Sequence, residues 1–296
     1  MKWEGNRQSD NVEDRRNDGG DAGGRRPMIG RRGIGVGTIV IALVAGWVFG
    51  INPLTVLGML SGGDPGQTSS APAAQPAGPR EPAADPATAF ARTVLADTED
   101  VWAAVFKQAG GSYAQPTLVL FRGRTSTACG LGESASGPFY CPGDSKVYVD
   151  LAFFDTLRTR LGAPGDFAQA YVIAHEVGHH VQNLLGVTGK VDAMRGKVPQ
   201  AQMNAMSVRV ELQADCLAGV WAHHSQQGKG WLEKGDIEEA MNAAAQIGDD
   251  TLQRKSQGTV VPESFTHGSS QQRMTWFRRG LDGGAVKSCN TFEGRL

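Results

Sequence analysis

With 296 residues and 40% hydrophobic side chains, the chain can form one or two domains with a sizeable core. Its formal net charge of -1 gives no basic face of the kind nucleic-acid binders need, so that class is excluded. The four Cys become informative only once the compartment is known.

Residues 1–32 interleave acidic and basic side chains with few apolar ones and are expected to be disordered. Arg25, Arg26, Arg31 and Arg32 close this stretch. Residues 33–60 carry no charge and are rich in Ile, Val and Leu, long enough for one transmembrane helix, with Trp47 as an interfacial anchor. The arginines precede it and the next basic residue is Arg80. The positive-inside rule therefore predicts a single-pass protein of the cell membrane, with a cytoplasmic N-terminus and the rest extracytoplasmic. A cleaved signal peptide would have a shorter apolar core and a briefer charged lead. Residues 61–88 are Pro/Ala/Gly/Ser-rich and read as a linker.

Residues 89–296 read as the globular domain. Phe90, Val94, Leu95, Val101, Trp102, Val105 and Phe106 recur at helical spacing up to Gly110-Gly111. Thr117–Phe121 and Lys146–Leu151 read as strands, with Cys129 and Cys141 flanking a Gly/Ser loop between them. Helices are expected over Leu151–Leu161, from Asp166 as N-cap to Gly186, from Pro199 to about His224, from a capping box Asp236-x-x-Glu239 to about Leu252, and after Ser269-x-x-Gln272. The pattern is α+β and mostly helical. Outside the cytoplasm, disulfides are permitted: Cys129 with Cys141 closes a short loop, which leaves Cys216 with Cys289. Four Cys allow three connectivities, and buried free thiols are the alternative.

The second long helix contains Ala174-His175-Glu176-Val177-Gly178-His179-His180. In His-Glu-x-x-His the two His, four apart, share one helix face and can offer nitrogens to one Zn2+. Glu176 then lies beside the ion and can take a proton from water. A third His ligand in the pattern His-x-x-Gly-x-x-His is excluded, because Gln182 and Leu185 stand at those positions. The other solution is a Glu from a second helix, and Glu211 in Val210-Glu-Leu-Gln-Ala-Asp215 is the candidate. Asp215, one turn on, would accept a hydrogen bond from a ligand His. Two acids on an otherwise apolar helix need partners. His180 points about 100° away, so it should not share the ion, and it reads as structural or as a support behind the ligands. His223 and His224 are read as helix-end residues, and Arg273 as the partner of an acid. His267, in a loop before the last helix, is a candidate oxyanion donor, with capping or packing as the alternative role, and Tyr148 is a weaker donor.

The chain resembles a bacterial family of neutral zinc metallopeptidases. The resemblance rests on Gly137-Pro-Phe-Tyr-Cys-Pro-Gly-Asp, Val147-Tyr-Val-Asp-Leu-Ala-Phe-Phe, the His-Glu-x-x-His stretch, Glu211 to Trp221, and His267-Gly-Ser-Ser-Gln-Gln-Arg. It implies a zincin-like fold of the gluzincin kind, with His175, His179 and Glu211 on zinc and Glu176 catalytic. The expected function is membrane-anchored hydrolysis of peptide or protein substrates, with Lys146–Leu151 as the strand that pairs with an extended substrate. Two other readings are a zinc-stabilised envelope scaffold without turnover and a zinc amidase acting on cell-wall peptides.

Overall fold

The computed structural model describes residues 1–17, 85–134 and 137–294. The expected span 33–60 and most of the expected linker 61–88 lie outside them. Among the described residues no helix is long and apolar enough to cross a membrane. The domain begins earlier than the composition shift suggests. Asp85 accepts from the Ala87 N–H, Pro86 fills the first helical position, and α1 (Pro86–Gln108) follows.

The disorder expected over residues 1–32 does not hold for residues 1–17. They form strand β1 (Val12–Asp14), which pairs in parallel with β2 (Thr117–Phe121). Several of their charges meet partners in the domain, such as Arg7 with Glu99, Glu13 with Lys146 and Arg16 with Asp85, which composition alone does not reveal. After β2 comes a hairpin of β3 (Arg124–Thr127) and β4 (Gly130–Glu133), whose second strand falls within the stretch read as a loop. Then come β5 (Phe139–Cys141) and β6 (Lys146–Asp150). The main sheet runs β1-β2-β6-β5, with β5 alone antiparallel. The strand expected at the sheet edge is therefore interior: β6 is hydrogen-bonded on both sides, and the edges are β1 and β5.

Further helices follow among the described residues: α2 (Ala152–Thr159), α3 (Asp166–Leu184), α4 (Val187–Asp192), α5 (Gln200–Lys229), α6 (Asp236–Gln246) and α7 (Asp249–Gln257). A last one, α8 (Ser270–Gly283), opens with the expected Ser269/Gln272 capping box. The other expected caps differ. Asp166 is the first helical residue of α3 rather than its N-cap, and the Phe167 N–H donates instead to Glu239 Oε2 at 3.1 Å. Glu239 and Asp236 thus do not form a capping box for α6. A break at Gly248 divides the expected helix to Leu252 in two. A Cβ on Gly248 would lie 2.5 Å from the Ser270 nitrogen, so the start of α8 occupies the space a continuous helix would need.

The core lies between α3, α5, α8, α1 and one face of the sheet, around Trp102, Phe167, Tyr171, Leu212, Trp221 and Phe277. Two glycine crossings set its spacing. A Cβ on Gly280 of α8 would lie 1.9 Å from the Cys216 carbonyl oxygen, and one on Gly219 of α5 would lie 2.1 Å from that of Phe277. Those helices touch backbone to backbone. Both expected disulfides are present. Cys129–Cys141 ties the hairpin to β5, and Cys216–Cys289 ties α5 to the C-terminal segment. On the chain-entropy account they contribute about 3 and 4.5 kcal/mol.

Candidate metal centre

α3 and α5 cross where Gly178 faces Ala214, so the residues flanking that crossing come together. His175 Nε2 lies 3.2 Å from Glu211 Oε2, and His179 Nε2 lies 3.6 Å from Glu211 Oε1. The candidate ligand atoms of these three residues all fall within 4.8 Å of one another.

The remaining hydrogen bonds decide what this cluster can hold. His175 Nδ1 is 2.8 Å from Asp215 Oδ1, and His179 Nδ1 is 2.9 Å from Gln182 Oε1. Both partner atoms only accept. The Gln182 amide is oriented by donating to Val210 O (2.7 Å) and Gln213 Oε1 (3.0 Å). Each neutral ring therefore keeps its proton on Nδ1 and turns an Nε2 lone pair toward the Glu211 carboxylate. Lone pairs so arranged repel unless a cation stands among them. Without a metal that cation is a proton. Burial opposes it, yet the Asp215 carboxylate lifts His175 to about 10, and Glu211 raises His179. Burial alone would raise Glu211, but His179 and His175 hold it well below the usual range. Two imidazoles and one carboxylate are the donors and the number that catalytic zinc takes from protein.

Glu176 is buried, and burial raises its carboxyl above the ordinary value, with His179 and His175 opposing. Among the described residues it has no hydrogen-bond or ion-pair partner. Its capacity to accept is left for something that enters the site.

Asp215 is fully buried and is more than the acceptor foreseen for a histidine. Its Oδ1 also receives the Tyr171 hydroxyl at 2.5 Å and Arg273 Nη2 at 2.9 Å, while Oδ2 receives Arg273 Nε at 2.9 Å. Burial pushes Asp215 up, but the paired guanidinium and His175 hold it far below the normal carboxylate range. Arg273 is thus the expected partner of an acid, and that acid is Asp215. Tyr171 and Gln182 were not singled out from sequence. The i, i+3 spacing of Gln182 from His179 was the available signal for one of them.

His267 sits beside this cluster. Gly268, at φ +92°, lets the loop lie against Leu212 and Val208 of α5. Asp249 organises the turn. Its Oδ2 accepts the N–H groups of Thr266, His267 and Gly268 at 2.6–3.0 Å, and its Oδ1 faces His267 Nδ1 at 3.2 Å. Burial works against charge on His267, but Asp249, and Glu211 across the site, raise its pKa. The His267 ring is half-exposed. No sequence signal marked Asp249.

The remaining candidates are committed elsewhere. His180 bridges Tyr140 Oη (3.0 Å) and Ala114 O (2.6 Å), and burial lowers its pKa. It holds β5 against α3. Tyr148 donates to Asp144. His223 and His224 bond Leu281 O and Gly284 O, so they bind the end of α8 rather than serve their own helix terminus. A second acidic group, Asp166, Asp236 and Glu239, gathers at the starts of α3 and α6. There the Met1 ammonium and the Phe167 N–H engage its oxygens.

"Uncharacterized protein YpfJ" of Escherichia coli K12 is 51% identical over 299 aligned residues, covering 99% of both chains. "Uncharacterized protein Rv2575" of Mycobacterium tuberculosis H37Rv is 45% identical over 200 residues, 64% of this chain and 67% of its own. No solved structure matches. The profile of the family described as "Putative neutral zinc metallopeptidase" matches residues 1–292, and the chain belongs to that family.

Proposed function

We propose that the protein is a zinc-dependent peptidase of the zincin kind, with the ion on His175, His179 and Glu211. Bound there, zinc supplies Lewis acidity toward a carbonyl oxygen and lowers the pKa of water. Glu176 accepts a proton from the attacking water on its carboxylate and delivers it to the leaving amine. His267, held by Asp249, donates from Nε2 to the oxygen that gains charge in the tetrahedral state. Asp215 and Gln182 fix the ligand rings through their Nδ1 protons. The observation that carries the reading is Glu176: a buried carboxylate with no partner among the described residues, beside three convergent ligand atoms. A scaffold that merely held metal has no use for it.

The edge strand β5 packs against the metal helix, its Tyr140 hydroxyl contacting both His180 and Asn183. We place an extended peptide along the edge of β5 that no described strand pairs with. Membrane attachment through residues 33–60 belongs to the same proposal.

The test is Glu176→Gln in the full-length protein, assayed on casein and a peptide library. Loss of cleavage by at least a thousandfold, with zinc content retained, is expected. Undiminished turnover in that variant overturns the mechanism.

A further inference from the structure

The N-terminal residues are built into the domain at several separate points. The Lys2 N–H donates to Trp231 O at 2.9 Å, and the Trp3 ring meets Phe90 edge-on at 5.3 Å. Glu99 of α1 is 1% exposed, and its acidic oxygens take their hydrogen bonds from this segment alone among the described residues. The donors are Ser9 Oγ (2.6 Å), Asn11 Nδ2 (2.8 Å) and Arg7 Nη2 (3.0 Å). Without them a carboxylate would stay buried and unpaired. The segment then joins the sheet, through Leu118 N–H to Asn11 O (2.9 Å) and Arg15 N–H to Leu120 O (2.8 Å). At its end, Arg16 Nη1 reaches Asp85 Oδ2 at 2.7 Å, so the two points between which residues 18–84 run are in contact.

We infer that residues 1–17 and residues 85–294 lie on one and the same side of any membrane. The charge pattern alone suggested otherwise, because one crossing by residues 33–60 puts the N-terminus opposite the domain. A single crossing would part β1 from β2 by the hydrocarbon core, about 30 Å, across which no backbone ladder forms. Two full crossings need roughly 40 apolar residues, and the uncharged run 33–60 is shorter than that. The inference does not depend on the activity proposed above.

Cysteine accessibility in cells tests it on the full-length protein. Glu4 and Lys107 are exposed and lie in the two parts of the chain. Glu4→Cys and Lys107→Cys, made singly, are treated with a membrane-impermeant maleimide before and after the cytoplasmic membrane is permeabilised. The expected result is the same pattern at both positions, labelled in intact cells or protected in both. Labelling of one position with protection of the other, reversed on permeabilisation, overturns the inference.

Discussion

A Cβ on Gly178 of α3 would stand 3.0 Å from the Ala214 carbonyl oxygen of α5. That contact sets the distance between the helix that supplies two imidazoles and the helix that supplies the carboxylate. Gly178→Ala gains about 1 kcal/mol of helix propensity but overpacks the crossing at about 1–3 kcal/mol. We expect a small change in melting temperature and a zinc affinity at least tenfold weaker, read by chelator competition. Unchanged affinity would show that the crossing has slack.

The fork of Arg273 on Asp215 predicts a division between two substitutions. Arg273→Met leaves the buried carboxylate without its cation and is expected to cost about 3–5 kcal/mol of stability. Arg273→Lys keeps the charge without the planar pair of donors. It should fold, yet hold zinc roughly 10–100-fold more weakly, because His175 loses a fixed acceptor. Wild-type zinc affinity in the lysine variant would contradict this positioning role.

A chain of amides connects the other ligand to a disulfide. His179 Nδ1 meets Gln182, Gln182 donates to Gln213, and Gln213 donates to Cys289 O at 2.9 Å, beside the Cys216–Cys289 bond. Gln182→Leu is expected to weaken zinc about tenfold. Reduction of the disulfide should weaken it to a lesser degree, and Gln213→Ala should remove most of that redox effect. Isothermal titration with and without reductant gives the comparison.

Stability of the metal-free protein should depend on pH in a defined sense. His175 is raised from an ordinary 6.5 to about 10, so its contribution is complete below about pH 6.5 and fades as pH rises toward 10. Glu211 and Asp215 are lowered. Their contribution is present above the ordinary carboxylate range, near pH 4, and is lost as pH falls. The melting temperature should therefore peak near pH 5–6.5 and drop by some 5–10 °C toward pH 10. Saturating zinc should flatten the alkaline side, since the metal takes the place of the proton. A metal-free melting temperature that climbs from pH 6.5 to 10 would refute the assignment.

The parts of the centre that follow a fixed helical spacing were legible in the sequence. His175, Glu176 and His179 share one helix by count, and Glu211 with Asp215 stood out as two acids on an apolar helix. Both disulfides are the pairing that loop length and elimination favoured among the three that four Cys allow. What could not be read were contacts made across large gaps in the chain. Glu239 caps α3, Asp249 fixes the His267 turn, and Ser9, Asn11 and Arg7 satisfy Glu99. In each case a polar residue looks solvent-bound until the tertiary fold supplies its partner. The N-terminal segment misled for that reason, since its dense charges resemble an unfolded tail, while Arg7, Asp10, Glu13 and Arg16 find partners in the domain.

The meeting of Arg16 with Asp85 has a practical corollary. Closing a loop between two touching points costs only about 0.6 kcal/mol for each doubling of its length, so the native contacts place little demand on how long the insert is. A handful of glycines and serines exchanged for residues 18–84 should leave every ligand and every prop around the metal in position. Such a shortened chain offers a compact specimen for crystallisation, with its own first strand still in the sheet.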